Sequence, residues 1–475
     1  MATNVRIYNT LTHKKEIFTP IKPGKVKIYT CGVTVYDRSH LGHARGAINF
    51  DVMRNLFAEL GFEVTYVKNY TDIDDKMIGR AKERGITVSQ LAEEMIAIHD
   101  ADMESLMIHP PELAPRATEH IEEIIEMAKC LIDGGYAYES AGDVFFRVRR
   151  FPEYGKLSWK KIDDLISGSR VAINENKEDA LDFALWKAAK PGEPSWSSPW
   201  GQGRPGWHIE CSAMARRHLG DTIDIHAGGS DLIFPHHENE IAQSECATGK
   251  VFSNYWMHNG MVKIRQRKMS KSLGNFATIE DLVRRYHPEL IRFFMLSTQY
   301  RQELDYSDEA LEKGLEGLDR IYGALERFVR THGRAQDDAT RANAQYGEKY
   351  RKAFMEAMCD DLNSPLAIAI LFDATKALNM SMENFEKARS LYRCLLDLGG
   401  ILGFLAVPPS NWFKTPRIRK REVTLGNADV EALISERERA RAERDWSRAD
   451  RIRDRLEAAS ILVEDREGKT TWRRK

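Results

Sequence analysis

The sequence predicts an α/β protein: a doubly wound parallel sheet domain that carries an insertion, followed by an α-helical bundle and a small C-terminal domain. Three observations predict it. First, "KVKIYTC" (25–31) alternates branched and aromatic residues, "ARGAINFDVMRNLFAELG" carries a mostly helical apolar period closed by Gly61, and "EVTYVKNY" reads as a second strand. Strand, helix and strand at that spacing form a βαβ unit, so the strands run parallel with helices on the sheet faces. Second, beyond Tyr306 the period turns helical, with Leu311, Leu315, Leu318, Ile321, Leu325 and Phe328 on one stripe. Third, 475 residues exceed what one core can organise, and about two to four domains are expected.

The other elements follow in order. From about Pro110 to Pro205 the pattern changes: helical "ATEHIEEIIEMAKCLIDGG", strand-like "GDVFFRVRRF", then Pro/Ser/Trp-rich "KPGEPSWSSPWGQGRPGW". This stretch reads as an insertion that splits the sheet domain. "DTIDIHAGG" and "YWMHNGMVKI" read as returning strands of the same sheet. "DDLNSPLAIAILFDATKALN" opens on Asn, Ser and Pro, as a helix start does. "VPPSNWFKTPRIRKRE" reads as a linker, and a small basic unit ends the chain: from Lys414 to Lys475 there are 18 Lys+Arg against 13 Asp+Glu, a balance of +5.

Composition excludes several classes. The formal net charge is −1, so no whole-protein field draws in a polyanion and any nucleic-acid surface must be local. The N-terminal stretch has no signal-peptide-like apolar core, and the longest apolar run, "LAIAILF", is too short to span a bilayer. Six scattered cysteines suit the reduced thiols of a cytosol, with one or two as metal ligands, rather than a disulfide framework. A cytoplasmic protein without membrane contact is expected.

Two motifs carry phosphate chemistry. "HLGH" (His40 to His43) falls between the first strand and the first long helix, at the carboxyl edge of a parallel strand. Backbone N–H groups at the helix start favour an anion there. Gly42 removes a side chain, and His40 and His43 add donors without a fixed charge. Alone, two surface histidines at a turn explain these letters equally well. "KMSKS" places Lys268 and Lys271 three residues apart; alone it suits a solvated loop. Together the motifs point to a triphosphate whose leaving group the lysines neutralise. A metal site is suggested separately. His236 and Glu240 are four apart and share a helix face, Cys211 precedes them, and Cys31 ends the first strand. One imidazole, one carboxylate and two thiolates make a set that zinc accepts. Buried apolar cysteines and a charged helix face are the competing account. His226 and His237 compete for the imidazole, though His237 has Ile241 at its fourth position.

"HLGH" and "KMSKS" resemble the two signature sequences of class I aminoacyl-tRNA synthetases. "YTCGVTVYD", "TDIDDK", "GWHIECSAM" and "GGSDLIFPHHENEIAQ" narrow the resemblance to cysteinyl-tRNA synthetases of the bacterial type, and it extends to the terminal "TTWRRK". Leu41 stands where that family commonly has Ile. The resemblance implies a Rossmann-like catalytic domain in two halves, 1–110 and 206–306, around an inserted connective segment, 111–205. A helical bundle, 307–407, and a linker with a small basic anticodon-binding domain, 408–475, would follow. It implies zinc on Cys31, Cys211, His236 and Glu240, and an amino-acid pocket of Thr71, Trp207, His226 and Asp231, with Asp231 on the ammonium group. Gly228 and Gly229 would let the nucleotide lie close, beside His40, Gly42, His43 and Lys271, with Lys268 nearby. The implied reaction is ATP-dependent attachment of L-cysteine to tRNA(Cys) through a cysteinyl-adenylate, with Mg2+ accompanying ATP, in a monomer. Zinc would select thiolate over hydroxyl, making an editing domain unnecessary. Trp446 and Trp472 would suit base contact. Two other readings differ in specific features. A related cysteine ligase with an amino-sugar acceptor would not need the basic C-terminal unit. A non-catalytic RNA- or zinc-binding paralogue would lack a ligand or a signature lysine.

Overall fold

The computed structural model describes residues 4–162, 175–264, 267–268, 277–333, 345–418, 426–459, 461–466 and 469–474. The chain forms two compact units, one of Met1–Phe276, Gln299–Asp305 and Glu356–Asn363, the other of Ala277–Thr298, Tyr306–Met355 and Ser364–Lys475.

The first unit is built on a parallel four-stranded sheet in the order Ser253–Asn259, Ile223–Gly229, Lys25–Thr34, Glu63–Thr71. Helices cover both faces of the sheet, and Val26, Ile28, Ile223 and Ile225 are wholly buried. Helix Leu41–Glu59 links Lys25–Thr34 to its neighbour on one side, while Ile223–Gly229 returns on the other. The strand order therefore reverses at Lys25–Thr34, and a crevice opens outside its carboxyl end. A register shift between Thr30 and Val33 falls at that end. Gly32 lies so close to the next strand that a Cβ there would stand 1.5 Å from the Asn69 carbonyl oxygen.

Two readings of strands are corrected. "YWMHNGMVKI" is not one strand: Ser253–Asn259 joins the parallel sheet, while Val262–Ile264 pairs antiparallel with Arg267–Lys268. The stretch read as one helix, one strand and a Pro/Ser/Trp-rich piece holds a five-stranded antiparallel sheet, ordered Ala137–Ser140, Asp143–Phe146, Phe183–Ala188, Gly201–Pro205, Trp196–Ser198. Strands of three to six residues are too short for a two-residue period to stand out.

In the second unit, helix Asp308–His332 buries Leu311, Leu315, Leu318, Ile321, Leu325 and Phe328, the stripe read from the sequence. The linker reading of "VPPSNWFKTPRIRKRE" needs correction. Trp412 is wholly buried, its ring 4.0 Å from that of Tyr322, and its Nε1 donates to Asp319 at 2.7 Å. Arg417 grips the same carboxylate at 2.6 Å. Trp412 and Arg417 of this segment belong to the bundle's core. Helices Asn427–Ala442 and Trp446–Ala458 and the hairpin Ile461–Arg466/Lys469–Arg474 share a small core of their own, including Val430, Leu433, Leu456 and Ile461. Trp472 belongs to that core and donates to Glu431 at 2.7 Å, so it is withdrawn from base contact; Trp446 is 58% exposed. Among the described residues, no helix is long and apolar enough to cross a membrane.

A candidate active site and metal centre

A cavity of roughly 490 Å³ opens in the first unit at the carboxyl edge of the parallel sheet. That volume suits a nucleotide-sized ligand. Cys31, Trp207 and Asp231 line it, as do His40, Gly42, His43, Gly228 and Gly229. Residues about 200 positions apart in the chain thus meet because both strands that carry them end at the switch point.

His40 caps helix Leu41–Glu59. The Gly42 N–H donates to His40 Nδ1 at 3.1 Å, and the His40 N–H donates to His43 Nδ1 at 3.2 Å. A backbone N–H can only donate, so both Nδ1 atoms are acceptors and each neutral ring carries its proton on Nε2. The two rings stack with centroids 3.8 Å apart. Burial pushes His40 down to about 4, against the nearby Asp231 carboxylate, and pushes His43 well below its ordinary value. The helix start therefore presents two neutral N–H donors to the cavity, in addition to its own dipole.

Two cations in this region were not singled out from the sequence. Lys68 lines the cavity, and burial lowers its ammonium to about 8. Arg45, two residues after His43, is wholly buried, and its guanidinium donates to the carbonyls of Met261, Gln299 and Tyr300 at 3.3 Å each and to that of Gln302. It keys the histidine-bearing helix to the Gly260–Met261 backbone, which also lines the cavity. An arginine inside a helical pattern gives no hint of partners so distant in sequence. Lys268 has its backbone in strand Arg267–Lys268, and Lys271 lies outside the described residues.

Cys31, Cys211, His236 and Glu240 each place a donor atom within 4.8 Å of the others, all buried. Cys31 Sγ lies 3.6 Å from Cys211 Sγ, 3.4 Å from His236 Nε2 and 3.1 Å from Glu240 Oε1; the last two are 3.0 Å apart. Ordinary zinc–ligand bond lengths give tetrahedral edges of about 3.8 Å between sulfurs, roughly 3.5–3.6 Å from sulfur to nitrogen or oxygen, and roughly 3.3–3.4 Å from nitrogen to oxygen. The four observed spacings are each shorter than these edges, by up to about half an ångström. A second grouping, Cys31, His226, His237 and Glu240, has one thiol in place of two. Two of its contacts are long: 4.0 Å from Cys31 Sγ to His226 Nε2 and 3.9 Å from His237 Nε2 to Glu240 Oε1.

The electrostatics favour the first grouping. A hydrogen bond from Cys31 draws Cys211 down to about 6, whereas burial beside Cys211 pushes Cys31 well up. Burial would raise Glu240, but His226 and His236 hold it well below the carboxylate range. Burial would also lower His236, yet Glu240 and Cys211 carry it up to about 10. The donor set is thus anion-rich and retains a proton where a cation would serve. His236 Nδ1 lies 2.9 Å from His208 Nδ1, and the His208 carbonyl accepts from Gln243 at 2.9 Å. This outer support was invisible in the sequence, since only the fold brings His208 to His236.

The expected amino-acid pocket is divided. Trp207 opens helix Trp207–Leu219 one turn before Cys211, is 40% exposed, and stacks on His236 at 4.3 Å. Asp231 also faces the cavity, and a Cβ on Gly229 would stand 2.4 Å from its Oδ1. Glycine there makes room for the carboxylate. Thr71 and His226 lie behind the wall: Thr71 donates to Glu210 at 2.9 Å, and His226 Nε2 lies 2.8 Å from Glu240 Oε2.

Family models match most of the chain: "tRNA synthetases class I (C) catalytic domain" over residues 17–316, "DALR domain" over 353–406, and "Cysteinyl-tRNA ligase anticodon binding domain" over 426–473. A cysteine–tRNA ligase of Syntrophotalea carbinolica is 48% identical over 480 residues, covering 99% of both chains. One of Thioalkalivibrio sulfidiphilus is 50% identical over 472 residues, covering 99% of this chain and 100% of that one. Among solved structures, a Mycobacterium tuberculosis methionyl-tRNA synthetase in complex with methionyl-adenylate superposes with a TM-score of 0.62 at 15% identity, over 80% of this chain and 91% of that one. That likeness bears on the fold alone, a class I synthetase fold with a parallel Rossmann-like sheet.

Proposed function

Because the chain belongs to the cysteine–tRNA ligase family of class I synthetases, we propose that it attaches L-cysteine to tRNA(Cys) in two steps. The cysteine carboxylate attacks the α-phosphorus of ATP, giving cysteinyl-adenylate and pyrophosphate. A terminal ribose hydroxyl of the tRNA then takes the acyl group and AMP leaves. The carboxylate is already ionised, so the protein supplies position and charge stabilisation rather than a nucleophile. The match to an anticodon-binding domain over 426–473 supports a tRNA acceptor; an amino-sugar acceptor would have no use for that module.

The observation that carries the substrate assignment is the buried donor set at one end of the cavity. Cys31, Cys211, His236 and Glu240 would hold zinc, which when bound supplies a thiolate-selective contact. Asp231 faces the substrate ammonium, and Trp207 walls the side chain. His226 and Thr71 hold Glu240 and Glu210 from behind. His40 and His43 donate Nε2–H to phosphate oxygens, Gly42, Gly228 and Gly229 border the nucleotide, and Lys268 and Lys271 neutralise the leaving pyrophosphate with Mg2+. The catalytic domain comprises 1–110 and 206–306 around the connective segment 111–205, the bundle runs from 307 through Arg417, and the tRNA-reading end is the small unit that follows, from about residue 426. The protein works as a cytoplasmic monomer. ATP–pyrophosphate exchange with a panel of amino acids tests the reading: exchange with cysteine, and at least a hundredfold less with serine, is expected. Equal exchange with both would overturn the thiolate assignment.

A further inference from the structure

Trp159 is a large aromatic residue held open on the surface of the first unit. It is 63% exposed, and its backbone is left-handed at φ 57, a conformation rare for bulky residues. The indole is fixed nonetheless. Its Nε1 donates to the Leu11 carbonyl at 3.2 Å, and one face stacks on His13 with centroids 4.6 Å apart and planes 25° apart. His13 is also left-handed, at φ 57, and stacks in turn on Tyr8 at 6.4 Å, which carries the Arg301 guanidinium at 4.3 Å. Two strained residues thus support a rigid ladder whose outermost rung is bare.

Three lysines flank the ring in the chain. Lys14, Lys160 and Lys161 are exposed and make no ion pair among the described residues. Among the described neighbours, Glu16 accepts from Asn9 and Thr12, and Asp360 pairs with Lys15; Asp163 and Asp164 follow Lys161 in the sequence, outside the described residues. The segments that carry the ladder touch elements that border the cavity. The Thr10 N–H donates to Trp256 of the edge strand, and Lys160 lies 4.2 Å over the ring of Phe234. Phe234 is two residues from Leu232, which lines the cavity, and two from His236 of the donor set.

A fixed ring with one open face, flanked by ammonium groups that no carboxylate neutralises among the described residues, is the arrangement that binds single-stranded nucleic acid by stacking and phosphate contact. We infer that Trp159, on its His13 support, stacks an unpaired nucleotide of the tRNA acceptor end, with Lys14, Lys160 and Lys161 meeting the adjoining phosphates. The inference rests on the tRNA ligase reading. The strand that delivers its terminal hydroxyl to the cavity must be unpaired over its last nucleotides to enter.

The experiment compares two RNA hairpins of acceptor-stem sequence, one with its unpaired 3′ nucleotides and one trimmed flush, binding to the full chain by fluorescence anisotropy. Wild type should prefer the untrimmed hairpin. Trp159→Ala should reduce that preference about tenfold and Trp159→Phe should keep most of it, with cysteine-dependent pyrophosphate exchange unchanged in both. Trp159→Asn, which tolerates left-handed backbone, should behave like the alanine variant and so separates lost stacking from misfolding. An undiminished preference in Trp159→Ala and Trp159→Asn would overturn the inference. So would loss of pyrophosphate exchange in both, or loss of self-association with the preference intact, which would make the ladder a contact between copies of the chain. Failure of wild type to charge tRNA would instead overturn the underlying reading.

Discussion

The two ends of the cavity meet opposite electrostatic demands with opposite means. At the end with the candidate metal ligands, two cysteines, a carboxylate and an imidazole are buried together, so the environment is anion-rich and carries His236 up to about 10. At the nucleotide end, two histidines stack at a helix start and stay neutral, with both Nδ1 atoms occupied by backbone N–H groups. A buried cation site needs real negative charge, because desolvation must be offset. A site for phosphates needs donors, and neutral N–H groups at a helix dipole supply them without burying fixed charge. The comparison teaches that histidine serves both ends, its role set by which nitrogen the fold occupies.

Breaking the metal end should have the largest effect. Loss of outer-shell support at a metal site costs about 10–100-fold, and Cys211→Ser, which removes a direct donor, should cost more in cysteine activation. Metal analysis of the purified variant should show zinc lost, against one per chain in wild type.

The next effect lies at the nucleotide end. Lys271→Ala should slow adenylate formation roughly 10²–10³-fold while changing ATP binding little, as loss of one transition-state contact does. Pre-steady-state adenylate formation decides: an unchanged rate with weakened ATP binding would make the lysine a ground-state contact.

Arg45→Gln tests whether the two ends are independent. Leaving buried carbonyls without a donor costs about 1–3 kcal/mol per group, so the melting temperature and the adenylate rate should both fall. Zinc content should stay at one per chain, since Arg45 touches none of the donors. Loss of zinc as well would show that the two ends are held as one body.

Truncation sharpens the contrast between the cavity and the distal unit. A chain ending at Ile418 keeps Trp412 and Arg417 in the bundle and should retain pyrophosphate exchange, with a raised KM for tRNA and a shallower salt dependence. A chain ending at Pro408 also loses Trp412, and should destabilise the bundle by about 3–5 kcal/mol. Urea unfolding of the two truncations should separate these effects.

The smallest effect concerns pH. His40 is held down at about 4, below its unfolded value near 6.5, so between those limits the unfolded chain binds more protons. Stability therefore falls as pH drops from about 6.5 toward 4, and His40→Asn should flatten that part of the curve. Urea unfolding at pH 7 and pH 5 measures it; identical slopes for variant and wild type would place the titration elsewhere.

By itself the sequence determined what is local: the βαβ opening, the helical stripe of Leu311 to Phe328, the two signatures, and the spacing that lets His236 meet Glu240. Each depends on neighbours a few residues apart, so periodicity and motif suffice. Tertiary structure alone decided which histidine joins the thiols, that Thr71 and His226 stand behind the wall, and that Arg45 reaches four carbonyls. It also buried Trp412 and Trp472 in cores while leaving Trp159 open. Those outcomes depend on strand order and on packing between segments up to about two hundred and fifty residues apart, and a linear pattern carries no record of which distant surface will cover a given side chain.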